Sequence, residues 1–373
     1  MSKKPVIHVV SISAGKDSQK VLLKAVERVP RESIRAIFCD TDNEHHHVYA
    51  HLDYLEQTTG VRIDRLKADF TAQLAAKRVF IARDLRTRRE YKRVPKVDRY
   101  GRPVYLKNAD GTLKLVPVYA EDDEDGEPID WRPIQKMGWD GGRKVRWSNK
   151  AKRRALSVMY PSGNAFLDLC MWKGRFPSRK AQFCTEELKR NMAVAYQLDL
   201  VDAGYHVVSW QGVRRDESHN RRNARVFERV GRGMYIYRPI VEDTAAQVIQ
   251  FSLERGVRLN PLYREGRSRV GCNPCINENK DGLREISRRD PEHIDRIEGW
   301  ELIVGMCSKR GFSTFFSDGH DAADRRKVYA ALNIRARVEW AKTTRGGRQY
   351  DLLADVTDST GCASSYGLCD SAA

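Results

Sequence analysis

A chain of 373 residues with 41% hydrophobic content can bury one large core or two modest ones, which excludes a wholly disordered polypeptide. No apolar run approaches the ~20 residues that cross a bilayer, and Met1-Ser2-Lys3-Lys4-Pro5 leads into a strand rather than a secretory segment, so the expectation is a cytoplasmic protein with no membrane. The net charge of +17 implies polyanionic company, either a nucleotide or a nucleic acid.

The apolar run Val6-Ile7-His8-Val9-Val10 predicts a buried strand, and residues 18–29 a helix. Between them stands Ser13-Ala14-Gly15-Lys16-Asp17-Ser18. Small residues let backbone N–H groups approach a polyanion, the helix N-terminus favours negative charge, Lys16 adds a cation and Asp17 a candidate Mg²⁺ ligand. The spacing fits neither the Walker loop nor the G-x-G-x-x-G fingerprint. A second strand over 34–39 completes a βαβ unit and delivers Asp40-Thr41-Asp42-Asn43-Glu44 to the carboxyl edge, where open α/β sheets bind ligands. His45-His46-His47 opens the next helix, and consecutive helical residues point apart, so at most one of them should join a site with Glu44. A helix over 47–59 and a third strand over 61–66 follow.

From about 83 to 165 the pattern gives way to a basic insertion with a small β-hairpin element and the acidic run 121–125. Its cations are interleaved with Tyr91, Tyr100, Tyr105, Trp131, Trp139 and Trp147, as in surfaces that stack bases and meet phosphates. The α/β text resumes with a helix over 185–198, a strand over 206–210 and a helix over 244–255. Residues 1–290 thus read as one interrupted domain, 291–350 as a helical extension and 351–373 as a disordered tail; no internal repeat is apparent.

The strand ending at Trp210 leads into Gln211-Gly212-Val213-Arg214-Arg215-Asp216-Glu217-Ser218, bringing a glycine and two arginines to the same sheet edge as the first loop. Arginines there would grip phosphate or sulfate oxygens bidentately. Eight cysteines are too sparse for a disulfide scaffold in a chain this long, so neighbouring ones mean metal or sulfur chemistry. Cys272 and Cys275 form a Cys-x-x-Cys pair, whereas Cys39 and Cys170 sit in apolar contexts that suit a core.

The first loop resembles the Ser-Gly-Gly-x-Asp-Ser signature of the pyrophosphatase-loop superfamily, with Ala14 in place of one glycine. Adding Asp40-Thr41-x-Asn43-Glu44, the segment from Arg179 through Cys184 to Lys189, Gln211 to Ser218, and Asn260-Pro261-Leu262-Tyr263 leading to Cys272 and Cys275, the chain resembles the phosphoadenosine phosphosulfate (PAPS) reductase family. That resemblance implies an adenine nucleotide alpha hydrolase-like, Rossmann-like parallel sheet with helices on both faces, holding ATP and Mg²⁺. Ser13, Gly15, Lys16, Asp17 and Ser18 would hold phosphates, Asp40 and Asn43 would lie near the nucleoside, and Gly212, Arg214 and Arg215 would close the site, with Lys16, Asp17 and both arginines catalytic. The intact Gly-Lys-Asp-Ser run resembles the branch that splits ATP to AMP and pyrophosphate. Cys184 with Cys272 and Cys275 resembles the sulfur-transfer members, including DNA phosphorothioation enzymes and cluster-bearing tRNA thiolases. The implied cofactor is a [4Fe-4S] cluster, with Cys307 as candidate fourth ligand and Zn²⁺ as the alternative. The implied partners are a nucleic acid, DNA before tRNA, and a sulfur donor such as a cysteine desulfurase. A PAPS or adenylyl sulfate reductase, and a nucleotide-binding protein without turnover, remain the other readings.

Overall fold

The computed structural model describes residues 4–84, 88–89, 92–119, 127–140, 144–145, 147–316 and 325–343. Tyr91, the acidic run 121–125 and the tail 351–373 with Cys362 and Cys369 lie outside them. The chain forms two compact units, an α/β unit of residues 1–79 with 153–373 and an inserted unit of 80–152.

The α/β unit begins with β1 (Val6–Ile12), α1 (Lys16–Arg28), β2 (Ile34–Asp40), α2 (His46–Thr59), β3 (Ile63–Lys67) and α3 (Thr71–Arg83). In β1, Ile7 and Val9 face one core while Val10 and Ile12 face another, and in β2 Ile37 opposes Ala36 and Phe38 in the same way. Both sheet faces are covered, which is why these strands read as continuous apolar runs rather than alternating ones.

The inserted unit carries β4 (Arg88–Arg89), β5 (Lys92–Pro95), β6 (Leu115–Val118), β7 (Asp130–Pro133), β8 (Met137–Asp140) and β9 (Lys144–Val145). They pair antiparallel as β4 with β9, β5 with β8 and β6 with β7. Between β5 and β6 the backbone repeats itself with a ten-residue offset. Asp98 N–H bonds Arg102 O as Asn108 N–H bonds Thr112 O, and the ring Lys96–Lys136–Val104 of N–H to C=O bonds recurs as Leu106–Ile134–Lys114. Gly101 and Gly111 take the left-handed turn position at φ 78° and 87°. The sequence shows no repeat because, beyond this glycine, almost nothing but the backbone pattern is shared.

The chain continues with α4 (Asn149–Val158) and α5 (Ala165–Lys173), a π-helical turn (Thr185–Arg190) running into α6 (Asn191–Asp202), and β10 (His206–Trp210). The hairpin β11 (Phe227–Gly231) and β12 (Met234–Tyr237) and helix α7 (Ala245–Leu253) follow. The C-terminal part is helical: α8 (Lys280–Arg289), α9 (Pro291–Cys307), α10 (Arg325–Leu332) and α11 (Ile334–Ala341). Among the described residues no helix is long and apolar enough to cross a membrane.

The six-stranded sheet has the order β11-β12-β10-β1-β2-β3, parallel except for β11. After β1 the chain moves outward through β2 and β3, and only later returns to lay β10 on the other side of β1. The crevice beyond the carboxyl ends of β1 and β10 is therefore the switch point where an open sheet offers a ligand site. The first loop and the Gly212–Arg215 segment both lie there.

Candidate functional site

The loop after β1 is held by its own residues. Ser13 N–H donates to Ser18 Oγ at 3.1 Å, and Ser18 Oγ donates to Gly15 O at 3.0 Å. Ala14 sits at φ 58°, the left-handed region in which a side chain costs roughly 1–2 kcal/mol and which the family signature fills with glycine. Gly15 is extended, at φ −92°, and is needed for another reason: a Cβ there would stand 3.2 Å from the Tyr263 hydroxyl. That hydroxyl accepts from the Lys16 N–H at 3.0 Å, so a phosphate arriving at this helix N-terminus must displace or share it.

Arg214 is 4% exposed and donates from Nε to Asp17 Oδ1 at 2.5 Å and from Nη1 to Asp216. Burial opposes its charge, but Asp17 and Asp216 outweigh burial and hold it above the ordinary arginine range. Lys16 Nζ lies 3.6 Å from the other Asp17 oxygen. Arg215 turns away: its guanidinium bonds Ala224 O at 2.9 and 3.1 Å and pairs with Glu242 at 3.0 Å. Of the two arginines, Arg214 alone meets the first loop. Gly212 provides clearance, since a Cβ would come 3.2 Å from Asp17 C and Ser18 N in the first turn of α1.

The segment after β2 works mainly as a brace. Asp40 Oδ1 accepts from the Tyr49 hydroxyl at 2.8 Å and from Asp42 N–H at 2.8 Å. Asn43 is fully buried, donates to Pro274 O at 3.0 Å, accepts from Arg296 at 2.9 Å and binds Asn273 N–H through its carbonyl at 2.7 Å. Its amide is thus committed to the Cys272–Cys275 loop rather than turned to the crevice. Glu44, 5% exposed, accepts from Thr41 at 3.0 Å and from the Cys272 thiol at 3.5 Å.

Around that thiol the cysteines gather. Cys184 precedes a turn with i→i+5 hydrogen bonds, which brings residues five apart into line, so Cys184 and Lys189 look the same way. Lys189 Nζ lies 3.6 Å from Glu44 Oε1. Cys272 first, then Glu44, Cys275 and Cys184, outweigh burial and hold its ammonium well above the usual lysine range. Burial, reinforced by Glu44 and opposed by Lys189, pushes the Cys272 thiol up to about 12. A cleft of about 220 Å³ opens beside Cys272, with Arg267, Arg269, Asn273 and Glu278 in its walls.

Cys307 stands apart from this group. It ends α9, burial pushes its thiol up to about 12, and the charge that reaches it is Arg154. The fourth thiol close enough to interact with Cys184 is the fully buried Cys170 of α5. Cys170 is a core residue, as its apolar context implies, and its buried thiol lies on the side of α5 toward Cys184, whereas the charge nearest Cys307 is Arg154. Cys184, Cys272 and Cys275 do not close to within 4.8 Å of one another, whereas thiolates about 2.3 Å from a tetrahedral zinc would be about 3.8 Å apart.

The three histidines bring one ring nitrogen each within 4.8 Å of the others, contrary to the divergence expected of helical neighbours. His45 is the N-cap rather than part of α2, so its ring folds back over the first turn. Both its nitrogens are taken, Nδ1 by His47 N–H at 3.1 Å and Nε2 by Asp290 at 3.2 Å, so it has no lone pair left for a metal.

A Rossmann-like sheet with a small-residue loop at its switch point, met by Arg214 from the segment after β10, is the arrangement of the pyrophosphatase-loop class. The phosphoadenosine phosphosulfate reductase domain matches residues 7–278, and the chain belongs to that family. It is 39% identical over 380 residues to an uncharacterized 37.8 kDa protein in the gpa 5′ region of Escherichia phage 186, covering 98% of this chain and 97% of that one. It is also 39% identical over 85 residues, 21% of this chain and 34% of the relative, to adenosine 5′-phosphosulfate reductase of Streptomyces coelicolor. A crystal structure of phosphoadenylyl-sulfate (PAPS) reductase from Candida auris with phosphate superposes at TM-score 0.36 and 13% identity, over 72% of this chain and 82% of that one.

Proposed function

We propose that the chain is an ATP-dependent sulfurtransferase that acts on nucleic acid, DNA in a phosphorothioation-like reaction before tRNA. An acceptor oxygen attacks the α-phosphorus of ATP and expels pyrophosphate; a sulfide-level sulfur nucleophile then attacks the adenylated acceptor and expels AMP, an external thiol supplying the two electrons that bring the donor's persulfide sulfur to that level. Lys16 and the N-terminus of α1 would take the phosphates, and Arg214 would release Asp17 to a Mg²⁺ as charge builds on the leaving pyrophosphate. Cys184, Cys272 and Cys275 would hold a [4Fe-4S] cluster, which supplies a site for the sulfur in transit. A sulfur donor such as a cysteine desulfurase would reach it through the cleft beside Cys272.

The observation that carries this reading is the convergence of the three thiols on Lys189 and Glu44, one short brace away from the intact Gly-Lys-Asp-Ser loop. The test is anaerobic purification with iron, sulfide and zinc analysis, followed by incubation with ATP and nucleic acid. Iron and sulfide that vanish in Cys272→Ser and Cys275→Ser, with pyrophosphate release lost in Lys16→Ala, are expected. One zinc, or pyrophosphate release that survives Lys16→Ala, would refute the mechanism. The Streptomyces relative supports a second reading, reduction of adenylyl sulfate or PAPS, which would yield sulfite without consuming ATP.

A further inference from the structure

The inserted unit has an unusual economy. From 93 to 139 no described residue is buried, yet Trp139 is 66% exposed, Tyr100 64%, Trp131 55% and Leu115 46%. A ribbon that displays so much apolar surface and holds no core of its own is built to be covered. What covers it can be read from the company its aromatic rings keep.

Arg93 lies directly across the β5–β8 ladder from Trp139, with its guanidinium 5.6 Å from the indole centroid. At the first hairpin tip Arg99 and Arg102 bracket Tyr100 at 4.7 and 5.0 Å. Across the second ladder Trp131 faces Pro117. Asp98 accepts from Tyr100 N–H at 2.8 Å and Arg102 N–H at 3.0 Å and also pairs with Arg102 Nε at 3.0 Å, leaving the other nitrogens of that guanidinium beside Tyr100, while Asp110 accepts from Thr112 N–H at 2.9 Å. Lys96 and Lys136 are neighbours across the ladder, with Lys96 N–H donating to Lys136 O at 2.8 Å, and add two cations to the same stretch of ribbon. Trp131 and Trp139 stand eight residues apart on one extended segment, a separation of about 26 Å at ~3.3 Å per residue.

We infer that this ribbon binds single-stranded nucleic acid, with Tyr100, Trp131 and Trp139 stacking bases and Arg93, Arg99, Arg102 and Lys136 meeting phosphates. The inference rests on the nucleic-acid reading above and names where the acceptor strand is held. Paired bases cannot present their faces to these rings, so duplex binds more weakly.

The test is fluorescence anisotropy of the full chain with a labelled strand of about 16 nucleotides, as single strand and as duplex, over a range of salt. Single strand should bind tighter than duplex. Four neutralised phosphates should give a slope of log affinity against log salt of about −3. Trp131→Ala with Trp139→Ala should weaken single-strand binding at least about tenfold while circular dichroism melting stays unchanged. Should that variant melt early, Arg93→Glu with Arg102→Glu provides the same loss without removing apolar surface. Binding that both pairs leave intact would overturn the inference and spare the sulfurtransferase reading, whose own readout is pyrophosphate release. Preference for duplex, or a concentration-dependent dimer that the tryptophan variant dissociates and that binds no nucleic acid, would also overturn it.

Discussion

Replacing Gly212 by alanine tests whether the β10 loop sets the position of the phosphate-binding turn. The added Cβ would stand 3.2 Å from Asp17 C and Ser18 N, and both are backbone atoms that cannot swing aside as a side-chain tip would. Either the first turn of α1 or the Gly212 loop must move by a few tenths of an ångström. Overpacking of this kind costs about 1–2 kcal/mol, which at about 2–4 °C per kcal/mol lowers Tm by about 2–8 °C. Shifting the helix N–H groups off a bound phosphate forfeits about one charge-assisted hydrogen bond, or about tenfold in ATP affinity. Differential scanning fluorimetry with and without ATP, and titration calorimetry with ATP, read both effects. Gly299→Ala is the control: it lies inside α9 with nothing within 4 Å of its added Cβ, and should raise stability by about 0.5–1 kcal/mol. Equal ATP affinity and equal Tm in Gly212→Ala and the parent would show that the close approach positions nothing.

Arg214→Gln should lower pyrophosphate release by about 100-fold, because it leaves Asp17 without its buried partner, whereas Arg215→Gln should leave the rate within about threefold; equal losses would place both arginines in the site. Cys307→Ala should retain its iron and Cys184→Ser should lose it, so iron analysis of the two variants decides whether the thiol facing Arg154 belongs to the metal site. His51, 4% exposed and 2.8 Å from Gln19 Oε1, is held neutral because burial, aided by Arg258, lowers its pKa from 6.5 to about 4. The folded state therefore binds fewer protons than the unfolded one: this contribution is complete above about pH 6.5 and is lost as pH falls from there toward 4, about 3 kcal/mol in all. Urea unfolding of the parent and His51→Gln at neutral and acid pH should show a smaller acid loss in the variant; identical losses would exclude His51 as the cause.

The parallel sheet was legible because β1 and β2 bury both faces, and an apolar run of strand length beside a small-residue loop has few other solutions. The hairpin β11–β12 was not, since Phe227 and Val230 on an exposed edge strand lack the alternation that marks a half-buried one. In the site, Arg214 could be distinguished from Arg215 only once β10 fixed which of two neighbouring side chains faces α1. Asn43 lies in the expected segment but spends its amide on the cysteine loop, because a residue's position on a sheet edge does not reveal what it bonds. The role of Tyr263 is hidden in the sequence because its hydroxyl reaches Lys16 across 247 positions. Lys189 carried a usable signal: it follows Cys184 by five positions, which aligns two side chains only in a π turn, and helical periodicity alone hides that geometry.

The ten-residue step of the ribbon makes its length adjustable. Each step closes its own turn and its own ring of three backbone bonds, so removing residues 97–106 would delete one whole unit and leave the next step's ring able to re-form against the long return strand. Such a segment can gain or lose steps within the inserted unit, between α3 and α4. A shorter or longer ribbon would then change the reach of the inserted unit while leaving the loop after β1 and Arg214 as they are.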